Sequence, residues 1–180
     1  RYGEHSLEVT YMDSNNNGNA YSGEVNIPGY IEYRGSWFYV SSIGNDAFSN
    51  CKNLTHITIP ENIDLIKNNS FRGCHELVSI SIDSNNETYY SNGNSIIEKA
   101  TKKLIVGCKN TIIPSNTLSI GSYAFNDCDK LTNIIIPNSV TSIGVCAFND
   151  CDSLGSITIP ASVTSSGGGT FGGCSNLKSI

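Results

Sequence analysis

At 180 residues, with 38% hydrophobic and 15% charged residues and a net charge of −5, the chain has the length of one domain and no basic footprint for nucleic acid or anionic lipid. No apolar run approaches the roughly 18 residues that span a bilayer, and Arg1 to Thr10 lack the basic and apolar regions of a signal peptide. A start without Met reads as a processed form or a piece of a longer chain.

In chain order, Leu7 to Tyr11 alternates like a strand, Asp13 to Asn19 is a polar loop, and Gly23 to Pro28 returns as a strand. Asp13, Asn15 and Asn17, with Gly18 and then Glu24, satisfy the spacing of a calcium-binding loop, whose oxygen ligands recur at alternate positions. The flanking segments read as strands rather than helices and only Asp13 and Glu24 carry charge, so a polar hairpin loop is favoured over a calcium site. Ile31 to Tyr33 and Trp37 to Val40 flank Arg34-Gly35-Ser36 as a second hairpin. Residues 1–42 are therefore expected to form a β-hairpin cap, continuous with the rest of the chain, that covers an otherwise open edge.

Residues 43–180 carry an internal repeat. Phe125, Phe148 and Phe171 recur with a period of 23, as do Cys128, Cys151 and Cys174, and the pairs Phe48/Phe71 and Cys51/Cys74 keep the interval upstream. Such a period marks a solenoid, in which each unit buries its apolar side only against its neighbours. Each unit reads Leu-x-x-Ile-x-Ile-Pro, then Val-x-x-Ile-Gly, then Ala-Phe-x-x-Cys. The two Ile positions point inward from strands stacked in parallel, proline ends the strand, and the Ala-Phe segment suits a short helical or 3₁₀ turn that plugs Phe into the core. Cysteines held in one slot point the same way and read as free, buried, small hydrophobes, whereas Cys108 and Cys146 fall outside that slot. The interval from Phe71 to Phe125 is 54, which exceeds two periods by 8 and predicts an insertion over residues 83–110. Ser95 to Glu98 and Lys103 to Val106 read as a projecting hairpin, with Tyr89 and Tyr90 as candidate contact residues. Towards the end Ser166 replaces the inward Ile, Gly167 to Gly169 loosen the turn, and the last residues stop halfway through a strand unit. That is either a capping strand or the cut end of a longer array, and an open C-terminal edge of this kind is a candidate for self-association.

The unit resembles the BspA-type leucine-rich repeat of bacterial cell-surface proteins over about residues 40–180, and Tyr21-Ser22-Gly23 with Val40 to Gly44 is similar to the opening common in such proteins. The resemblance implies a right-handed leucine-rich-repeat solenoid on a secreted or surface-anchored protein of a host-associated bacterium, with adhesion or protein binding as the usual assignment. Lys67 stands for the Gly, Ser70 and Thr170 for the Ala, and Asp83 for a Pro of the pattern.

Catalytic material is sparse, because His5, His56 and His75 share no metal spacing and no nucleophile motif stands near them. No cofactor or metal is expected. Asn53, Asn68 and Asn86 begin glycosylation triplets, which an Asn- and Ser-rich chain yields by chance. The outward strand positions His56, Thr58, Ser79, Ser81, Asn133, Ile135, Ser156 and Thr158 form a strip, mostly small and polar, suited to broad hydrogen-bonding contact. The expectation is a noncatalytic extracellular module that recognises protein or glycan surfaces through this sheet face with help from the inserted hairpin. A spacer that holds another domain away from the cell is the alternative.

Overall fold

The computed structural model describes residues 6–10 and 21–180. Asp13, Asn15 and Asn17 of the calcium-type loop lie outside these residues, as does His5. Strand β1 (Ser6–Val9) runs parallel to β4 (Ser36–Ile43), β2 (Gly23–Asn26) opens a separate ladder, and β3 (Tyr30–Tyr33) pairs antiparallel with β4. The β3–β4 turn places Arg34 and Gly35 at φ 50° and 76°, the two left-handed residues that a tight hairpin of this twist requires. Of the two expected hairpins the second forms, whereas the strands flanking the polar loop do not pair with each other: β1 lies on β4 and β2 on the strand at Leu54–Ile59, each in parallel.

Each coil then contributes to two parallel ladders. β5 (Leu54–Ile59) lies between β2 and β7 (Ser79–Ile82), while the short β6 (Leu65–Ile66) stacks on the end of β4. Pro60, without an amide to donate, stands at the corner between β5 and β6. Leu54, Ile57, Ile59, Ile63 and Ile66 turn inward from the two ladders and are buried. The third side of the coil holds the Phe.

That third side is a chain of tight turns, with no helix. Ser49 N–H donates to Asp46 O at 2.9 Å and Cys51 N–H to Phe48 O at 3.1 Å. Between them Asp46 and Asn50 sit at φ 55° and 57°, and the pair recurs at Asn69/Gly73, Tyr123/Asp127, Cys146/Asp150 and Gly169/Gly173. A right-handed helical run cannot pass through two left-handed residues four apart, so the short helical or 3₁₀ segment expected from sequence does not form. Cys146, unexplained by the repeat, is one of these left-handed positions.

The turns stack closely. Phe48 and Phe71 lie 5.1 Å apart with planes 7° off parallel, Phe125 and Phe148 4.9 Å apart at 7°, and Phe148 and Phe171 5.6 Å apart at 10°. The cysteines are free thiols, and three of them donate backward to the Phe carbonyl of the preceding coil: Cys74 to Phe48 at 3.1 Å, Cys151 to Phe125 at 3.2 Å, Cys174 to Phe148 at 3.0 Å. Burial pushes the Cys74, Cys128 and Cys151 thiols far up, which keeps them protonated. The two departures at the Ala slot bond in the same backward sense, Ser70 Oγ to Gly44 O at 3.2 Å and Thr170 Oγ1 to Gly144 O at 3.5 Å.

The middle of the chain differs from expectation. β8 (Tyr89–Asn92), β9 (Ser95–Glu98) and β10 (Lys103–Val106) form an antiparallel meander, and β10 continues in parallel into β11 (Ser119–Ile120), β12 (Ser142–Ile143) and β13 (Ser165–Ser166). The hairpin that sequence reads as projecting is thus built into a six-stranded sheet, because Ser95, Ile96 and Ile97 are buried in succession and Leu104 is fully enclosed. Asn86, itself fully buried, fixes its start: Nδ2 donates to Pro60 O at 3.1 Å and Ile63 O at 2.8 Å, while Oδ1 accepts from Thr88 N at 3.0 Å and Tyr89 N at 2.7 Å. An amide used in this way is closed to glycosylation in the folded chain.

Behind the meander stands a coil that the repeat pattern hides. Cys108, Thr111, Ile113, Pro114, Thr117 and Ile120 each precede Leu131, Ile134, Ile136, Pro137, Val140 and Ile143 by one period. Three of the slots hold the wrong residue type, and Thr111 fits the interior by donating Oγ1 to Asn94 O at 2.8 Å while accepting from Cys108 N at 2.8 Å.

Candidate functional site

The outward positions of the first ladder form the strip. Glu24, His56 and Ser79 fall in one register row, and Asn26, Thr58 and Ser81 in the next. His56 Nδ1 lies 4.0 Å from Glu24 Oε1, an exposed pair on adjacent rungs. Glu24 therefore faces outward from a strand. Farther along, Ile135 bridges Thr158 and Ser156 bridges Ser179, so Asn133, Ile135, Ser156 and Thr158 belong to the continuation of the same face. His56, Thr58, Ser81, Asn133, Ile135, Ser156 and Thr158 are exposed and Ser79 is half-buried.

Between the two runs the meander supplies the missing rung through a turn. Ile82 N–H donates to Ser91 Oγ at 3.1 Å, and Ile112 N–H to Gly93 O at 2.9 Å. Gly93 is needed there, because a Cβ would lie 2.0 Å from Ile112 O. Ile112, in the hidden coil, is 75% exposed and its neighbour one coil on, Ile135, is 78% exposed. Sequence reasoning missed Ile112 because Thr111 and Cys108 disguised its unit. Counting back one period from Ile135 finds it.

The two tyrosines do not join this surface. Tyr89 is a core residue, 4% exposed, whose hydroxyl accepts from Ile66 N at 3.2 Å. Tyr90 is half-buried with Lys102 Nζ 5.7 Å from its ring centroid, so it covers the side of the coil. Exposed aromatics stand instead on the entry hairpin, where Tyr30, Tyr33 and Trp37 are 48%, 59% and 54% exposed and Arg34 lies 5.1 Å from the Tyr33 ring. Among the described residues no group of three or more His, Cys, Asp or Glu is placed to hold a metal ion.

A second feature is a cleft of about 440 Å³ where the Phe stack is interrupted between Phe71 and Phe125. Side chains bind its two walls together. Asn126 Nδ2 donates to Asn69 Oδ1 at 3.2 Å, Arg72 Nε lies 3.5 Å from Asp127 Oδ2, Lys109 Nζ lies 2.5 Å from Glu76 Oε2, and His75 pairs with Asp129. Burial pushes the Asp127 carboxyl up despite the pull of His75 and Arg72, whereas the Lys109 hydrogen bond holds Glu76 down.

Two stacked ladders per coil, a proline at the corner and a buried aromatic turn define a leucine-rich-repeat solenoid. Six copies of the BspA type leucine rich repeat region match residues 37–102 and 94–180, and the chain belongs to that family. A leucine-rich repeat protein of Eubacterium ventriosum is similar at 27% identity and a TM-score of 0.72 over 87% of this chain. A leucine rich cell surface protein of Faecalibacterium prausnitzii is 25% identical over 86% of this chain, with a TM-score of 0.47. The pneumococcal vaccine antigen PcpA shares the fold at 15% identity and a TM-score of 0.53, with 99% of this chain and 77% of the antigen covered. This chain spans 41% of the Eubacterium protein and 46% of the Faecalibacterium one. No curated protein matches the sequence.

Proposed function

We propose that the chain is a noncatalytic, extracellular repeat module that binds a protein or glycan surface through the outward strip of its first ladder. The adjacent exposed isoleucines Ile112 and Ile135, set in an otherwise small and polar face, carry the reading. Strand propensity alone is met by Ile as readily as by Thr, but exposed apolar side chains that serve no contact stand singly, and two on consecutive rungs add the desolvation that hydrogen-bonding groups alone do not supply. Membership of a family of bacterial surface repeats supports the location.

The test is binding of the purified chain to immobilised extracellular-matrix proteins and to bacterial cells, beside a variant carrying Ile112→Ser, Asn133→Ala and Ile135→Ser. Saturable binding that this variant loses supports the strip. Loss in Trp37→Ala alone moves the site to the entry hairpin, and no binding by the folded chain favours the spacer.

A further inference from the structure

The cleft is a vacant rung. In a regular coil the turn amides donate to the carbonyls of the coil after it: Asp46 to Asn68 at 3.4 Å, Phe48 to Ser70 at 2.8 Å, Asn50 to Arg72 at 2.7 Å, and likewise Tyr123 to Val145 at 3.0 Å, Phe125 to Ala147 at 2.8 Å, Asp127 to Asn149 at 2.8 Å. The corresponding donors of the next turn, the amides of Asn69, Phe71 and Gly73, find no such partner among the described residues. On the opposite wall Ala124 O takes Gly107 N–H at 2.8 Å, and the carbonyls of Ser122 and Asn126 accept nothing among the described residues. Cys128 also lacks the preceding Phe carbonyl that Cys74, Cys151 and Cys174 use. The meander thus replaces the strands of the lost coil and leaves the backbone of its turn unfilled except at Gly107, where a Cβ would lie 2.0 Å from Phe125 Cε1; the Asn69–Asn126 and Arg72–Asp127 side-chain pairs cross the gap, and an incoming segment displaces them.

Three amides at alternate positions facing two free carbonyls complement a polypeptide backbone, the pattern by which a chain adds itself to an incomplete ladder. An anion is a poorer fit, because two of the three lining cations are already paired, Lys67 Nζ with Glu8 Oε2 at 2.5 Å and Arg72 with Asp127, and the third, Lys103, shares the lining with Glu98. Ile105 and Phe71 line the interior beside the amide row. We infer that the cleft between Phe71 and Phe125 binds a short polypeptide segment of a partner, which completes the missing rung with its carbonyls and buries one bulky apolar side chain against Ile105 and Phe71. None of these groups belongs to the outward strip, so this site stands or falls separately from it.

The probe is a blocked synthetic peptide copying Gly144–Asp152, the chain's own rung, with Cys146→Ser and Cys151→Ser. Titration is followed by calorimetry and by residue-resolved hydrogen exchange. The peptide is expected to bind saturably and to slow exchange at Asn69, Phe71 and Gly73 by about tenfold or more, with Phe48 and Phe148 unchanged. Its Phe148→Ala version should bind about tenfold more weakly. Ser122→Trp, at an exposed rim position, should abolish binding, and the strip variant should retain it. Absence of saturable binding, binding without protection of those three amides, or equal binding of the alanine peptide would overturn the proposal.

Discussion

The turns from Phe125 to Phe171 and the junction between Phe71 and Phe125 are made from the same unit, yet they are held by different forces. In the regular stretch every coil repeats three contacts with its predecessor: a stacked ring, a backward thiol hydrogen bond and a forward row of amides. At the junction all three lapse on the turn side, and continuity passes to the meander, to Asn86, and to the charged and amide pairs that span the cleft. A solenoid of nearest-neighbour interfaces can therefore lose one side of an interface and stay joined, provided that the other sides are rebuilt with polar, geometrically demanding contacts.

Single substitutions sharpen that contrast. Phe148→Ala, which removes a ring stacked on both faces, is expected to cost about 4–5 kcal/mol, and Phe71→Ala, stacked on one face, about 1 kcal/mol less. Urea titrations of the two variants give the comparison directly, and equal losses would show that the cleft side of Phe71 is as well packed as the stack. Asn86→Ala strands the Ile63 carbonyl and two amides, takes one of two donors from Pro60 O, and should cost about 3 kcal/mol, with hydrogen exchange accelerating first in β8 and β9. Gly107→Ala drives a methyl into the Phe125 ring and should cost about 1–3 kcal/mol, a loss confined to the junction. In the regular stretch Cys146→Asn should raise stability by about 1 kcal/mol, because asparagine tolerates the φ of 51° better than cysteine does. The smallest effect concerns acid. Since Lys109 holds Glu76 below its ordinary value, its stabilisation is complete above the unfolded carboxylate range and fades as pH falls through the lowered folded value. Glu76→Gln should therefore flatten the acid limb of a melting-temperature profile slightly, and an unchanged limb would remove this pair from the junction.

What was legible in the sequence follows from the same division. The Phe and Cys ladders were plain because every regular coil buries them in the same place, and the outward strip followed from alternation around the two Ile positions. The hidden coil was not legible, since Cys108, Thr111 and Thr117 hold the Leu, Ile and Val slots: the first two bond Asn94 O of the meander, and Thr117 is enclosed with its hydroxyl unpartnered among the described residues. Tyr89 looked like a surface contact beside a polar loop, but its ring fills the core and its hydroxyl takes the amide that a regular strand would have bonded. The helical turn failed for a local reason. Asn and Asp at alternate ends of the Ala-Phe segment signal left-handed residues as readily as helix starts, and only the repeated φ values decide. The cleft left one trace, the excess of the Phe71-to-Phe125 interval over two periods.

The backward thiol bonds make Cys74, Cys151 and Cys174 reporters on the coil before their own. A thiol that bonds in this way is shielded only when the preceding turn has closed beneath it, so brief alkylation during refolding would date the closure of the turns at Phe48, Phe125 and Phe148 by the cysteine that comes after each. Cys151 and Cys174 would record successive steps of one growing stack, and Cys74 those of the other. Cys128, at the break, marks where a second clock starts.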